Sequence, residues 1–317
     1  MRELHNYFPA NLRARYAQAL VDHPLRGEII VTHLTNDIVN RMGSTFYMLV
    51  HERTGNHADD IARAYVAACE IFGARELWAA IEALDGKVVA ALQLEMLTAV
   101  CRLADRTTVW LLRNRRMPLD IAATAEHFRG GVEVVRTRIP RLLRDHGHEE
   151  VELHIAELCD AGVPVELAQH VAGQEIVFAT LNVVMVARDT DTLLEVVTDV
   201  YFELGFALSF DWLYVCVRDL PVFDYWQRGA RGMLRDDLSV ELRKLTTDAL
   251  RLTPDGDSFT QRVDSWLELK QTKLAHYRSV IAELKSAGKP SFAMLSVAVR
   301  EVRALARDGQ INAEDAA

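Results

Sequence analysis

The stretch HGHEEVELH at residues 146–154 gathers residue types that could hold a metal ion. Zinc needs imidazole and carboxylate ligands that converge on one point. His148 and His154 stand six positions apart, so on a helix they point about 240° around from each other. The stretch is not HExxH, and Glu152 with His148 reads as an i,i+4 surface pair. GDSF at 256–259 could present a serine nucleophile. No strand-to-helix elbow surrounds it, and Ser258 followed by Gln261 fits an S-x-x-Q capping box at a helix start. RNRR at 113–116 places cations where a helix C-terminus favours them. HADD at 57–60 is an acidic helix start, and the adjacent Asp236 and Asp237 diverge around a helix, so neither is a carboxylate pair for acid–base work. No catalytic residue and no metal ligand set is predicted.

Dinucleotide chemistry is also missing. No G-x-G occurs, and no strand precedes a glycine loop, which excludes a Rossmann site and a Walker loop. GARG at 229–232 lies inside a helical pattern and reads as a place of close helix packing. Trp78, Trp110, Trp212, Trp226 and Trp266 fall in apolar helical stripes and are expected in the core rather than on a base-stacking platform.

The elements that would carry these residues are all helical. Across 317 residues the 3.6-residue period recurs, and no segment alternates as a strand would. Helices are predicted at 10–22, 25–53, 57–72, 74–84, 88–115, 119–128, 132–145, 149–161, 165–172, 174–187, 191–208, 210–219, 222–252, 259–286 and 291–307. Gly55, Gly73, Gly86, Gly162 and Gly288 follow apolar runs as C-terminal caps. Pro140, inside VEVVRTRIPRLLRD, predicts a kink or break. The short connections favour an all-α array of antiparallel helices in a single domain, 1–317.

The composition, 50% hydrophobic and 26% charged, supports a sizeable core. The net charge of −9 argues against a nucleic-acid partner or an anionic membrane surface. The most apolar helix, Ile29 to Val50, holds Asn36, Asp37, Asn40 and Arg41 and is too polar for a membrane span. The first residues carry no apolar signal-peptide region. Cys69, Cys101, Cys159 and Cys216 are scattered and read as free thiols in a reducing compartment, which points to the cytoplasm.

An ordered set of landmarks recurs. AELCDAGVP at 156–164 matches AELKSAGKP at 282–290. Trp78 precedes Gln93 by fifteen positions, as Trp212 precedes Gln227; Tyr65 and Tyr201 precede these tryptophans, and Asn36 has a counterpart in Asn182. Generic capping chemistry and chance spacing would account for these matches. A duplication into related halves, 25–168 and 169–308, would account for them too.

LTNDIVNRMG at 34–43 is an odd piece of helix. At about 100° per residue, Val31, Leu34, Ile38, Val39, Met42 and Phe46 form an apolar arc, and Asn36, Asn40, Gly43 and Tyr47 fall opposite. A solvated face would carry Lys, Glu or Arg, yet none but Arg41 occurs between Ile29 and Val50. Asn36, Asp37, Asn40, Arg41 and Gly43 are therefore candidate contacts for another helix or domain. Asp37 and Arg41, at i,i+4, can pair at the margin. The cover lies either within this chain or on a domain outside it.

Several longer stretches carry a resemblance: YFPANLRARYAQAL, HPLRGEIIVTHLTNDIVNRMGSTF, DDIARAYVAACEIFGARELWAAIEALDGKV, RTTVWLLRNRR and AMLSVAVREVRALA. Together they resemble the C-terminal helical region of the large bacterial NAD-specific glutamate dehydrogenases. The resemblance implies an enzyme that converts L-glutamate, NAD and water to 2-oxoglutarate, ammonia and NADH. It places the substrate lysines and nucleotide-binding sheet before this region, and no lysine here precedes Lys87. The implied role is non-catalytic: this chain would bind no cofactor, NAD belonging to the parent enzyme. It would brace the catalytic domain of the parent chain or build a homo-oligomer. The alternative is a free-standing helical protein–protein interaction module.

Overall fold

The computed structural model describes Leu4 and residues 7–145, 149–253 and 258–306. Every regular element among them is helical, with no strand. The contacts divide into two compact units, one of residues 1–129 and 154–174, the other of residues 130–153 and 175–317.

The first unit contains α1 (Ala10–Arg15), α2 (Ala17–Val21), α3 (Arg26–Met42), α4 (Phe46–Thr54), α5 (Ala58–Phe72), α6 (Ala74–Glu82) and α7 (Ala90–Asn114). Two helices, α8 (Ile121–Asp145) and α9 (Glu149–Asp160), are divided between the units, and α10 (Val165–Ala172) completes the first. Its core is built on α5, where Ile61, Ala64, Tyr65, Ala68 and Phe72 are buried. The alanines leave α5 slim enough for α7 to pack along it, with Trp78 of α6 beside them.

The second unit contains α11 (Gln174–Phe178), α12 (Thr180–Thr190), α13 (Leu194–Ala207), α14 (Phe210–Arg218), α15 (Tyr225–Leu252), α16 (Phe259–Leu269), α17 (Gln271–Ser286) and α18 (Phe292–Ala306). The long α15 is its axis: α12, α13 and α18 pack on it through Leu238, Leu242, Leu245 and Ala249. Gly131 on α8 admits α12, since a Cβ there would meet Val184 Cγ2 at 2.3 Å and Thr180 Cγ2 at 2.9 Å. Asn182 of α12 is buried and donates to Ser239 Oγ at 2.7 Å and Tyr201 Oη at 3.4 Å.

Several boundaries differ from expectation. The predicted helix 25–53 is two helices, because Gly43 takes a left-handed φ of +87° and turns the chain. Of the kink or break expected at Pro140, the break is absent; α8 runs through both Gly130-Gly131 and Pro140. Packing against α12 and the Arg138–Asp199 pair at 3.0 Å hold that segment together. The predicted helix 259–286 is interrupted at Lys270 and 174–187 at Ala179. The five glycines expected as C-terminal caps all have positive φ. The capping box is present: Ser258 N–H donates to Gln261 Oε1 at 2.9 Å, and Gln261 N–H to Ser258 Oγ at 3.3 Å.

Trp78, Trp110 and Trp266 are buried as expected, and Trp212 lies at the core margin. Trp226 is not: it is 80% exposed. The core-facing side of α15 begins only at Leu234, and Trp226 sits before it on the outward side.

Candidate functional site

The helix that drew attention in the sequence, α3, has no buried residue along its 17 positions. Its half-buried stripe is Ile29, Ile30, His33, Leu34, Asp37, Ile38, Arg41 and Met42, an i, i+3/i+4 series. The stripe is rotated from the expected apolar arc. Val31 and Val39 are exposed, at 64% and 44%, while Asp37 and Arg41 turn inward.

Polar contacts explain that rotation. Asp37 Oδ2 accepts from the Tyr65 hydroxyl at 3.2 Å and from Arg75 Nη2 at 3.4 Å. Arg75 also approaches Glu70 at 3.8 Å. Arg41 forms an ion pair with Glu82, and its guanidinium lies 5.2 Å from the Trp78 ring centre. The Arg41 carbonyl accepts from the Cys101 thiol at 3.1 Å. The Glu82 bond pushes the Arg41 guanidinium above its ordinary range. Burial raises the Tyr65 hydroxyl, and pushes the Cys69 thiol beside it up to about 12. The ion pairs of Asp37 and Arg41 thus run to other helices, where the sequence suggested a pair at i,i+4.

His33, Asn36, Asp37, Asn40, Arg41 and Glu82 line a shallow depression on this face. Four of the five candidate contact residues are therefore gathered there; Gly43 is exposed at the C-cap of α3. The Asn36 and Asn40 side chains are exposed and have no hydrogen-bond partner among the described residues. Of the candidate contacts, Asp37 and Arg41 meet other helices of this chain, while Asn36, Asn40 and Gly43 stay exposed in it. Each amide can give and take a hydrogen bond, whereas the nearby charges already neutralise one another. The surface is equipped to hold a backbone or an amide, and carries no unpaired carboxylate for proton transfer. Among the described residues no three His, Cys, Asp or Glu side chains form a metal-binding group.

Glu82, Arg75 and Tyr65 were not singled out as site residues in the sequence, being 28 to 41 positions from their α3 partners. The available signal was that all three lie in DDIARAYVAACEIFGARELWAAIEALDGKV, a stretch carrying the family resemblance. The other sequence candidates have structural roles. Arg113 donates to the Arg53 carbonyl at 3.1 Å, and Arg115 lies over Phe128. Asp237 pairs with Arg303 at 3.4 Å. His154 faces Glu157 at 3.7 Å, while His146 and His148 lie outside the described residues.

A family model described as the C-terminal part of glutamate dehydrogenase matches residues 1–304. The chain belongs to this family. It is 34% identical over 306 residues to the NAD-specific glutamate dehydrogenase of Halomonas elongata, a match covering 96% of this chain and 19% of that protein. Identity is also 34% with the NAD-specific glutamate dehydrogenases of Pseudomonas aeruginosa, over 309 residues, and Mycobacterium tuberculosis, over 304. Those matches cover 98% and 96% of this chain and 19% of each relative. This member of the glutamate dehydrogenase C-terminal family thus spans about a fifth of the length of the curated relatives it matches. Among the described residues no single helix is long and apolar enough to cross a membrane.

Proposed function

We propose that this chain is the non-catalytic, helical C-terminal part of a cytoplasmic NAD-dependent glutamate dehydrogenase. The whole enzyme oxidatively deaminates L-glutamate to 2-oxoglutarate and ammonia while reducing NAD. This part binds no cofactor. It braces the catalytic portion, or the homo-oligomer, through the face of α3 that carries Asn36, Asn40 and Gly43, with Asp37 and Arg41 locked behind it.

The observation that carries the reading is a 17-residue helix with no buried position, whose outward side mixes exposed valines with unpartnered amides. A helix normally derives most of its stability from packing an amphipathic face, so α3 is short of a partner. The contrast with α12 supports this. If the two halves are related, α12 is the counterpart of α3, and α12 is buried along most of its length beneath α15.

The test is Asn36→Glu with Asn40→Glu in the enzyme assembled with its catalytic portion. The isolated chain should keep its unfolding midpoint, because both sites are exposed, while the assembled enzyme should lose thermal stability or dissociate. An assembled enzyme unchanged by the pair would overturn the reading. So would NAD reduction with glutamate by the isolated chain.

A further inference from the structure

In the second unit, the start of α15 presents a second apolar strip. Phe223 is 85% exposed, Trp226 80% and Met233 65%, with Tyr225 exposed between them. Taking about 100° per residue, Tyr225, Trp226, Gly229, Gly232 and Met233 fall within roughly 120° of arc, opposite the core residues Leu234, Leu238 and Leu245. Nothing lies within 4 Å of where a Cβ would stand on Gly229 or Gly232. The strip has aromatic and thioether walls above a bare backbone floor.

The strip is held in place before any partner arrives. Asp224 caps the helix, accepting from the Gln227 N–H at 2.7 Å, and the Gln227 side chain accepts from the Phe223 N–H at 2.8 Å. Tyr225 and Trp226 meet edge to face at 5.4 Å. Rigid Trp, Tyr and Arg side chains on a capped helix start are the types that dominate binding energy at protein interfaces.

Charge selects the occupant. Arg228 borders the strip, and its side chain has no partner among the described residues. Arg235, further along the helix, already lies 4.0 Å from Asp236, so Arg228 is the cation at this margin left to choose a partner. The curated relatives are about five times as long as this chain, which leaves four-fifths of a polypeptide to supply a partner segment. We infer that the α15 strip docks an apolar segment of the glutamate dehydrogenase polypeptide outside residues 1–317, one that carries a carboxylate opposite Arg228. This inference rests on the proposed function but uses a different surface in a different unit.

The test places a photo-cross-linking p-benzoylphenylalanine at position 226 in the assembled enzyme. The expected adduct joins position 226 to an apolar, acid-bearing segment outside residues 1–317, and Arg228→Glu lowers its yield about tenfold. An adduct within residues 1–317, an adduct between two copies of the strip, or no adduct overturns the inference. The same probe at position 39 separates the two surfaces. An outside adduct from 39 but not from 226 rejects the α15 strip alone, and none from either rejects the proposed function as well.

Discussion

The hydroxyl of Tyr65 reaches across 3.2 Å to the carboxylate of Asp37 and ties a fully buried position of α5 to a half-exposed one of α3. A helix without a buried side chain is thereby fastened to a core. Removing the donor alone, in Tyr65→Phe, leaves Asp37 its bond to Arg75. The expected loss is about 0.5–1.5 kcal/mol in denaturant unfolding of the isolated chain. Hydrogen exchange in α3 should rise more than exchange in α7. Equal protection of α3 in both proteins would show that the bond does not fasten the helix.

The two kinds of glycine on α8 and α15 should respond oppositely to alanine. Gly131→Ala drives a Cβ into Val184 and Thr180 of α12 and should destabilise by about 1–3 kcal/mol, with partial recovery in the Val184→Ala background. Gly229→Ala and Gly232→Ala meet nothing in this chain. Each should stabilise it by about 0.5–1 kcal/mol through helix propensity, while weakening the assembled enzyme. Thermal unfolding of chain and assembly side by side checks the reversal of sign.

A buried ion pair in the second unit gives a sharper loss. Lys270 Nζ lies 3.1 Å from Asp248 Oδ2, which also accepts from Trp266 Nε1 at 2.9 Å. Both charged side chains are largely withdrawn from solvent. Asp248→Ala strands the ammonium and should lose about 3–5 kcal/mol, whereas Asp248→Ala with Lys270→Met should lose less. Urea midpoints of the single and double variants measure it; a double variant worse than the single contradicts the charge explanation.

Stability should fall in alkali. Burial pushes the Cys69 thiol from 9.0 up to about 12, and raises the Tyr65 and Tyr277 hydroxyls from 10.0. Above pH 9 the unfolded chain releases the thiol proton while the folded one keeps it, so the folded state binds more protons and stability drops as pH rises. The thiol contributes a slope of up to about 1.4 kcal/mol per pH unit between pH 9 and 12. Urea unfolding at pH 8, 9.5 and 10.5 should show a shallower slope for Cys69→Ala. Identical slopes would remove the thiol from the account.

Local chemistry was legible wherever the deciding contact was close in sequence. Ser258 with Gln261 forms the capping box three residues apart, and the glycine caps follow the apolar runs they end. Gly43 was recognised as a poor helix former but was read through, since its left-handed turn depends on where α4 packs. Pro140 does not break α8, which packs on α12 through Gly131 and pairs Arg138 with Asp199. Asn36, Asp37, Asn40 and Arg41 stood out by helical spacing, and the structure brings them to one shallow depression.

By itself the sequence determined the all-helical class, the absence of a glycine-rich dinucleotide loop, and membership of a glutamate dehydrogenase family. These follow from periodicity, spacing and residue text, which need no partner to be read. Only the tertiary structure decided which way α3 faces and what each of its charges meets. Partners such as Tyr65, Arg75 and Glu82 come from 28 to 41 residues away, and no helical period encodes them. The same holds for Trp226, whose place in an apolar stripe said core until the position of α15 left it outside. Amphipathic periodicity names the faces of a helix, whereas burial depends on what the rest of the chain lays against each face.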